Sequence, residues 1–458
     1  MNISGQVAIV GYGPTGALLG NLLARRGISC VIVEKQAHAY GLPRAVHFDG
    51  ETMRVFQSSG LADEIFKDTM IGRGMRFQDN AGNVLVDWPR SQEIGPFGWH
   101  ESYRFHQPAL ETVLRRGFES QDGCQVIAGQ AVVGFTQNLD GVDLQLDDGR
   151  HVLAEYVVGC DGAQSFVRKA LGIEYEDLGF NEDWLVVDLL IKNAAADRGD
   201  YTIQFCDTDH PATYVRGVGK RRRWEMRVET GQIAPLSESE TWQRLARWVS
   251  SKDAEIERSA VYTFRSCIAR EWRDRRCFLA GDAAHLTPPF MGQGLCAGIR
   301  DAANLAWKLA AVLAGGNGRL LDTYASERLP NTREFINLTM DLGRLINQTA
   351  AGQAPSVAMK SIWPALGPGL GVRDGLVGTQ APQVKTVSGE WSDDVAGAGF
   401  YALVRKDVAC SIPVVVGAQD WLAEKGIFGV VVRPDGYIFG GASDANELAQ
   451  VVAECVLV

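Results

Sequence analysis

The chain has 458 residues, 46% of them hydrophobic and 22% charged, with 45 basic and 55 acidic side chains for a formal net charge of −10. At roughly 100–200 residues per domain, this length calls for two or three domains, and the composition argues against a disordered or collagen-like chain. An acidic chain without a long basic tract is ill suited to nucleic acid, because phosphates repel it. The short run Arg221-Arg222-Arg223 is expected to cap a solvated strand end.

Residues 6–10 are a short apolar run. Residues 17–24 then repeat apolar positions at helical spacing and end near Gly27, and residues 30–33 are apolar and β-branched, ending at Glu34. This predicts strand, helix, strand: one buried parallel βαβ unit. The most apolar stretch, residues 7–24, contains Pro14 and four glycines, so neither a membrane span nor a signal peptide is expected. The nine cysteines are scattered singly, with no CxxC pair and no zinc spacing. Reduced thiols in a cytoplasmic protein are the expectation, with Cys30 and Cys160 in the core.

Further along, residues 107–118 read as a helix with Pro108 in its first turn. Residues 142–146 and 151–158 read as a hairpin across Asp147-Asp148-Gly149. Residues 176–265 change character. Strands are predicted at 184–191 and 224–228, with Trp224, Met226 and Val228 on one face and Glu225, Arg227 and Glu229 on the other. A helix is expected at about 238–249 and a buried strand at 277–280, followed by helices at 295–313 and 323–349. Residues 350–395, rich in Gly, Pro, Ala and Ser, read as a linker. The remainder reads as strands at 401–404, 412–416 and 429–432 with a Pro434-Asp435-Gly436 turn.

Three motifs carry chemistry. Gly11-Tyr12-Gly13-Pro14-Thr15-Gly16 fits GxGxxG between strand and helix. Gly11 permits the turn, Gly13 lets a pyrophosphate approach, and Gly16 lets helix and strand pack. The helix N-terminus offers N–H groups to phosphate, and Glu34, followed by Lys35, stands where a carboxylate meets ribose hydroxyls. Only one such fingerprint exists, so one dinucleotide is resident and a nicotinamide cofactor visits. The second motif is Cys160-Asp161-Gly162. The third is Gly281-Asp282-Ala283-Ala284-His285, followed by Pro288-Pro289-Phe290-Met291-Gly292-Gln293-Gly294.

With Pro43-Arg44-Ala45, Asp49, Glu51, Gln107-Pro108 and the run from Asp301 to Leu309, these motifs resemble the single-component FAD-dependent aromatic hydroxylases of the p-hydroxybenzoate hydroxylase fold. The branch it looks most similar to contains 3-(3-hydroxyphenyl)propionate hydroxylase. The resemblance covers about residues 5–345. It implies an α/β fold: a Rossmann-like FAD-binding domain (1–175 and 266–349), an inserted mixed β-sheet substrate domain (176–265), the linker (350–395) and a shortened thioredoxin-like C-terminal domain (396–458). Without a CxxC pair, that last domain is not expected to exchange disulfides.

The resemblance also implies the chemistry. NADH or NADPH reduces FAD, O2 forms a flavin C4a-hydroperoxide, and a small phenolic ring attacks it, as in aromatic compound catabolism. Reduction is expected to be gated by movement of the flavin. Arg44 would meet the pyrophosphate side, and Gln107 and Asp282 the ribityl chain. Asp161 would help hold the cofactor. The backbone at Leu295 and Cys296, beside Gly292 and Gly294, would face the pyrimidine edge, where the helix dipole favours negative charge. His47, Tyr214 and His210 are the candidates for assisting phenol deprotonation. Pro289, Phe290 and Met291 are candidates for the aromatic pocket. The alternatives are a same-fold epoxidase or Baeyer–Villiger oxygenase on a polyketide-like ring, and a non-catalytic flavin-fold binding protein. No Trp-x-Trp-x-Ile-Pro stretch is present, which argues against a halogenase. Oligomeric state is open, with a homodimer as one candidate.

Overall fold

The first apolar run forms the strand Ile3–Val10, whose last four residues are buried. The helix Pro14–Ala24 and the strand Cys30–Glu34 follow. The structure is a computed structural model that describes residues 3–39, 41–207, 210–229, 231, 236–350, 363–371 and 375–456. The parallel order is Cys277–Leu279, His151–Gly159, Ile3–Val10, Cys30–Glu34, Cys124–Ala128, with the short Arg273–Asp274 antiparallel at one edge. The central strands Ile3–Val10 and Cys30–Glu34 carry buried hydrophobic runs, as parallel pairing under helices requires, whereas in Cys124–Ala128 at the edge only Ile127 is buried. The expected hairpin joins the sheet through His151–Gly159 and pairs Val142–Leu146 antiparallel to it.

A second sheet of eight strands lies over this domain. Its order is His285–Leu286, Ala254–Ala269, Tyr175–Ile191, Arg221–Arg227, Ala212–Arg216, Thr202–Phe205, Gly74–Gln78, Val84–Pro89. The sheet therefore exceeds the inserted stretch 176–265, because the hairpin at 74–89 completes one edge and His285–Leu286 the other. One face packs on the helix Glu238–Leu245 through Tyr214, Trp224, Met226 and Leu245. The opposite face carries Arg223, whose guanidinium donates to the carbonyls of Pro43 and Arg44 in the first domain. Sequence alternation thus separates a scaffold face from a face turned to the cleft between the domains. A small sheet of His47–Asp49, Ser102–Phe105 and Thr69–Ile71 closes that cleft from the side.

The arginine run does not cap a solvated end. Arg222 and Arg223 are buried and pair with Asp197 and Asp188 at 2.5 and 2.7 Å. Three adjacent charges look like surface in sequence, but a strand sends alternate ones to opposite faces, and each face here supplies its own acid. All nine cysteines are free thiols; Cys30 is buried and Cys160 half-buried.

Helix Gln293–Leu313 runs through the centre, followed by Thr323–Ala350. The C-terminal unit is a four-stranded sheet, Val414–Val416, Tyr401–Val404, Gly429–Val432, Ile438–Ala442, with helices Gln419–Glu424 and Ala445–Val456. The expected linker divides in two. Residues 351–362 and 372–374 lie outside the described residues. Residues 363–371 and 375–395 pack back on the body, with Gln383 donating to the Phe97 carbonyl at 2.6 Å and Leu370 N–H to Glu327 at 2.8 Å. Glycine and proline here shape a bound strap.

The C-terminal unit is locked to the central helix by buried charge. Glu327 accepts from Lys308 at 2.6 Å and from both terminal nitrogens of Arg433 at 2.8 and 2.9 Å, and Arg433 also pairs with Asp435. These groups are at most 1% exposed. Removing one partner strands the others without water, which costs about 3–5 kcal/mol. Arg433→Ala is therefore expected to lower unfolding free energy by about that amount in denaturant titration, whereas Lys385→Ala on the surface should change it by less than about 0.5 kcal/mol.

Candidate active site

The fingerprint loop is built as the sequence requires. Gly11 has φ of +105°, and a Cβ there would stand 2.4 Å from the Cys160 carbonyl oxygen. A Cβ on Gly16 would stand 2.1 Å from the Gly11 carbonyl. Gly13 has nothing within 4 Å of its Cβ position, so the turn is closed on its inner side and open where a pyrophosphate would come. Pro14 occupies the first helical turn and Thr15 stands between Gly281 and Gly298. Glu34 accepts from the N–H groups of Tyr12 and Gln36, each at 2.8 Å. A carboxylate has about four acceptor positions, so two remain for ribose hydroxyls. Lys35 is exposed beside it.

Asp161 and Asp282 follow the C-terminal ends of two neighbouring parallel strands. Asp161 Oδ2 accepts from the N–H groups of Phe166 and Val167 at 2.6 and 3.1 Å, while its buried Oδ1 has no partner. Asp282 is open to the cleft, yet the cleft walls surround it, and that enclosure raises its carboxyl pKa above the usual range. The Gly281 turn is held by Asp301, which accepts from Gly281 N–H at 3.0 Å, sits 2.7 Å from His285 Nε2 and accepts from Arg328 at 2.9 Å. An unpartnered buried acceptor and an enclosed carboxylate beside an open glycine turn fit the polyol and diphosphate of FAD.

The central helix begins at this cleft. Gly292 takes φ of +63°, and a Cβ there would collide with the His47 ring at 2.7 Å. The first N–H groups of a helix have no partner within it, and those around Gly294 and Leu295 open to the cleft. The Cys296 side chain is buried and turns back to the Gly292 carbonyl at 3.6 Å, so only its backbone can serve a flavin. Gln107 is a brace. Its carbonyl accepts from Arg44 and Ala45 N–H at 3.1 and 2.7 Å and its amide donates to Glu111 at 2.7 Å, leaving one N–H for the ribityl contact expected of it. The Arg44 side chain is exposed on the loop that this brace holds.

The proposed deprotonation residues separate. Tyr214 is fully buried on the scaffold face, packed on Trp224, with its hydroxyl on Asp197 at 3.2 Å and the Gly199 carbonyl at 3.3 Å. Strand parity turns it away from the cleft, so it cannot reach a substrate there. His210 is exposed in the turn beyond Thr202–Phe205, its backbone N–H held by Asp207 at 3.1 Å. His47 is in place. Its Nε2 lies 3.1 Å from the Ser102 hydroxyl and its Nδ1 3.5 Å from the Gly292 carbonyl. Burial, aided by the nearby Arg104 charge, lowers its pKa to about 3. Such an imidazole is a weak proton acceptor near neutral pH; it stands between the Ser102 hydroxyl and the Gly292 carbonyl. Pro289 opens the short turn Pro289–Met291, and its carbonyl accepts from Gly292 N–H at 2.7 Å. Phe290 meets Trp184 and Phe180 edge to face, an apolar wall beside the cleft. Sequence reading missed Ser102 and Thr202. The signal for the first was its register beside His47–Asp49, which no single sequence displays.

Two outcomes follow from this geometry. Gly11→Ala forces a Cβ into the Cys160 backbone. It is expected to weaken FAD retention by at least roughly tenfold, measured as flavin absorbance of the purified protein, with far-ultraviolet circular dichroism unchanged. His47 binds fewer protons folded than unfolded between pH about 6.5 and about 3. Its contribution to stability is complete above pH 6.5 and is lost as pH falls through that window. A His47→Asn variant should show a shallower loss of stability between those limits by denaturant titration at stepped pH.

Comparison with known proteins gives the family. The FAD binding domain family matches residues 4–339. The probable NADH-specific resorcinol 4-hydroxylase of Rhodococcus jostii (strain RHA1) is 36% identical, over 98% of this chain and 94% of that one. A 3-(3-hydroxy-phenyl)propionate/3-hydroxycinnamic acid hydroxylase of Paraburkholderia xenovorans (strain LB400) is 38% identical over 76% of this chain, which spans only 56% of that protein. Among solved structures, OxyS anhydrotetracycline hydroxylase from Streptomyces rimosus superposes with a TM-score of 0.77 at 25% identity, covering all of both chains. Aklavinone-11 hydroxylase, solved with FAD and aklavinone, gives 0.80 at 22% identity over 98% of each. Among the described residues no helix is long and apolar enough to cross a membrane. The family match over residues 4–339 and a relative 36% identical along 98% of the chain place it in the FAD-binding domain family as a flavin-dependent aromatic hydroxylase.

Proposed function

We propose that this hydroxylase acts on a small neutral dihydric phenol of the resorcinol type and prefers NADH. The observation that carries this reading is coverage. The resorcinol hydroxylase aligns along 98% of the chain and 94% of its own length, whereas the hydroxyphenylpropionate enzymes leave roughly four tenths of theirs unmatched.

When bound, FAD supplies the hydride acceptor for the nicotinamide and the activation of O2 for hydroxyl transfer. The chain supplies the rest. Glu34 would hold the adenosine ribose and the Gly13 turn the diphosphate, with Arg44 beside it. Asp161 and Asp282 would hold the ribityl chain, and the helix start at Leu295 and Cys296 would face the pyrimidine edge and favour negative charge there. Phe290, with Trp184 behind it, keeps the reacting region dry, which limits loss of oxygen as hydrogen peroxide. His47 stays neutral and fixes Ser102.

The deciding test is aerobic NADH and NADPH oxidation by the FAD-saturated protein against a panel of phenols and phenolic acids, with peroxide assayed alongside. Resorcinol should stimulate NADH oxidation most, with little peroxide and a product 16 mass units heavier. Preference for a hydroxyphenyl acid, or no response to any phenol, would overturn the substrate reading. His47→Ala is expected to lower substrate-stimulated turnover while FAD stays bound.

A further inference from the structure

Two nearly buried charged side chains carried by separate sheets have bonding capacity to spare. Arg104 stands in register with His47, so the two share a face. It is 8% exposed. Its guanidinium donates to the Thr202 hydroxyl at 2.5 Å, and its buried Nε–H has no partner. Glu225 comes from the facing sheet. It lies between Arg223 and Arg227 on the cleft side of its strand, in register with Thr213 and Val186, and is also 8% exposed. Among the described residues its carboxylate accepts no hydrogen bond, and its one ion pair is long, 3.8 Å to Arg223.

Arg223 is otherwise engaged. It chelates Asp188 and donates to the carbonyls of Pro43 and Arg44, and Arg258 also pairs with Asp188 at 2.9 Å. The Thr213 hydroxyl donates to Gln204 at 2.7 Å. Neighbouring groups therefore leave Glu225 short of donors. Burial pushes its carboxyl above the usual range while Arg223 draws it back, and Glu225 and Arg104 lie close enough to feel each other's charge. A buried carboxylate without donors is costly, so a ligand that brings a hydroxyl is favoured and one that brings a second carboxylate is repelled.

We infer that Arg104 and Glu225 form the substrate-discriminating pair of this hydroxylase. Arg104 donates to the phenol oxygen that gathers negative charge during ring attack, and Glu225 accepts from a second ring hydroxyl. Resting on the proposed function, this pair selects a neutral diphenol over a monophenol, which lacks the second donor, and over a phenolic acid, which Glu225 repels. Arg104 stabilises the ionised phenol, whose proton passes to solvent, so no strong protein base is required.

The test uses the full-length FAD-loaded protein and its Glu225→Gln, Glu225→Asp and Arg104→Gln variants. Flavin spectral titration gives dissociation constants for resorcinol, phenol and 3-(3-hydroxyphenyl)propionate, and NADH-coupled hydroxylation gives rates. FAD content and melting temperature verify folding. Glu225→Gln should weaken resorcinol by about tenfold, leave phenol within about twofold and tighten the acid. Glu225→Asp should lie between Gln and wild type. Arg104→Gln should raise the pH at which bound resorcinol ionises, read from the substrate's own absorbance. Equal losses for resorcinol and phenol in Glu225→Gln, or an unchanged ionisation in Arg104→Gln, would overturn the pairing. If wild type itself ignores every phenol, the substrate reading has failed before the pairing is reached.

Discussion

Charge buried along one helix organises this protein. Helix Gln293–Leu313 carries Arg300, Asp301, Asn304 and Lys308, none of them more than 2% exposed. A charge removed from water must have its partner beside it, so each fixes a separate part of the chain. Arg300 meets Asp49 and Glu51 at 2.5 and 2.7 Å, placing the strand that carries His47. Asp301 meets Gly281, His285 and Arg328, placing the turn that carries Asp282. Lys308 and Asn304 meet Glu327, and through Arg433 they place the C-terminal unit. Each of these partners therefore shares in setting the position of the helix start.

The C-terminal unit consequently belongs to the site's support. Tyr437 donates to Glu51 at 2.8 Å, and Gln380 donates to the same oxygen at 2.6 Å. Glu51 in turn holds Arg300, and Arg300 holds Asp49, which caps the helix Gly50–Ser58 through Thr52 N–H. Although burial works against ionisation, Arg300 and the Thr52 contacts hold Asp49 down to about 2. Tyr437, Glu51, Arg300 and Asp49 form a continuous chain of buried hydrogen bonds, so a shift at one end has packed neighbours to move.

What the sequence displayed was local. GxGxxG between strand and helix, and the Asp-Gly and Gly-Asp turns, depend on backbone needs within a few residues, and the structure places all three at the C-terminal ends of three neighbouring parallel strands. What it concealed was the pairing of distant segments. Nothing around residues 74–89 announces that this hairpin extends a sheet whose other strands begin a hundred residues later, because register is set by partner strands. The arginine run looked solvated because its acids, Asp188 and Asp197, lie on other strands and loops. The strap at 375–395 looked like a tether because glycine and proline suit a bound irregular segment as well as a free one.

Parity explains the candidates that moved. Tyr214 and Thr213 are neighbours in sequence, but a strand turns them to opposite faces. Tyr214 joins Trp224 in the scaffold core, and Thr213 stands beside Glu225 over the cleft. The same alternation had already put Trp224 and Glu225 on different faces in the sequence; the remaining unknown was which face saw the flavin domain. Arg223 settles it, because its guanidinium crosses to the carbonyls of Pro43 and Arg44. An aromatic core on one side and unsatisfied charge on the other is how a single sheet serves both as a support and as the wall of a polar pocket.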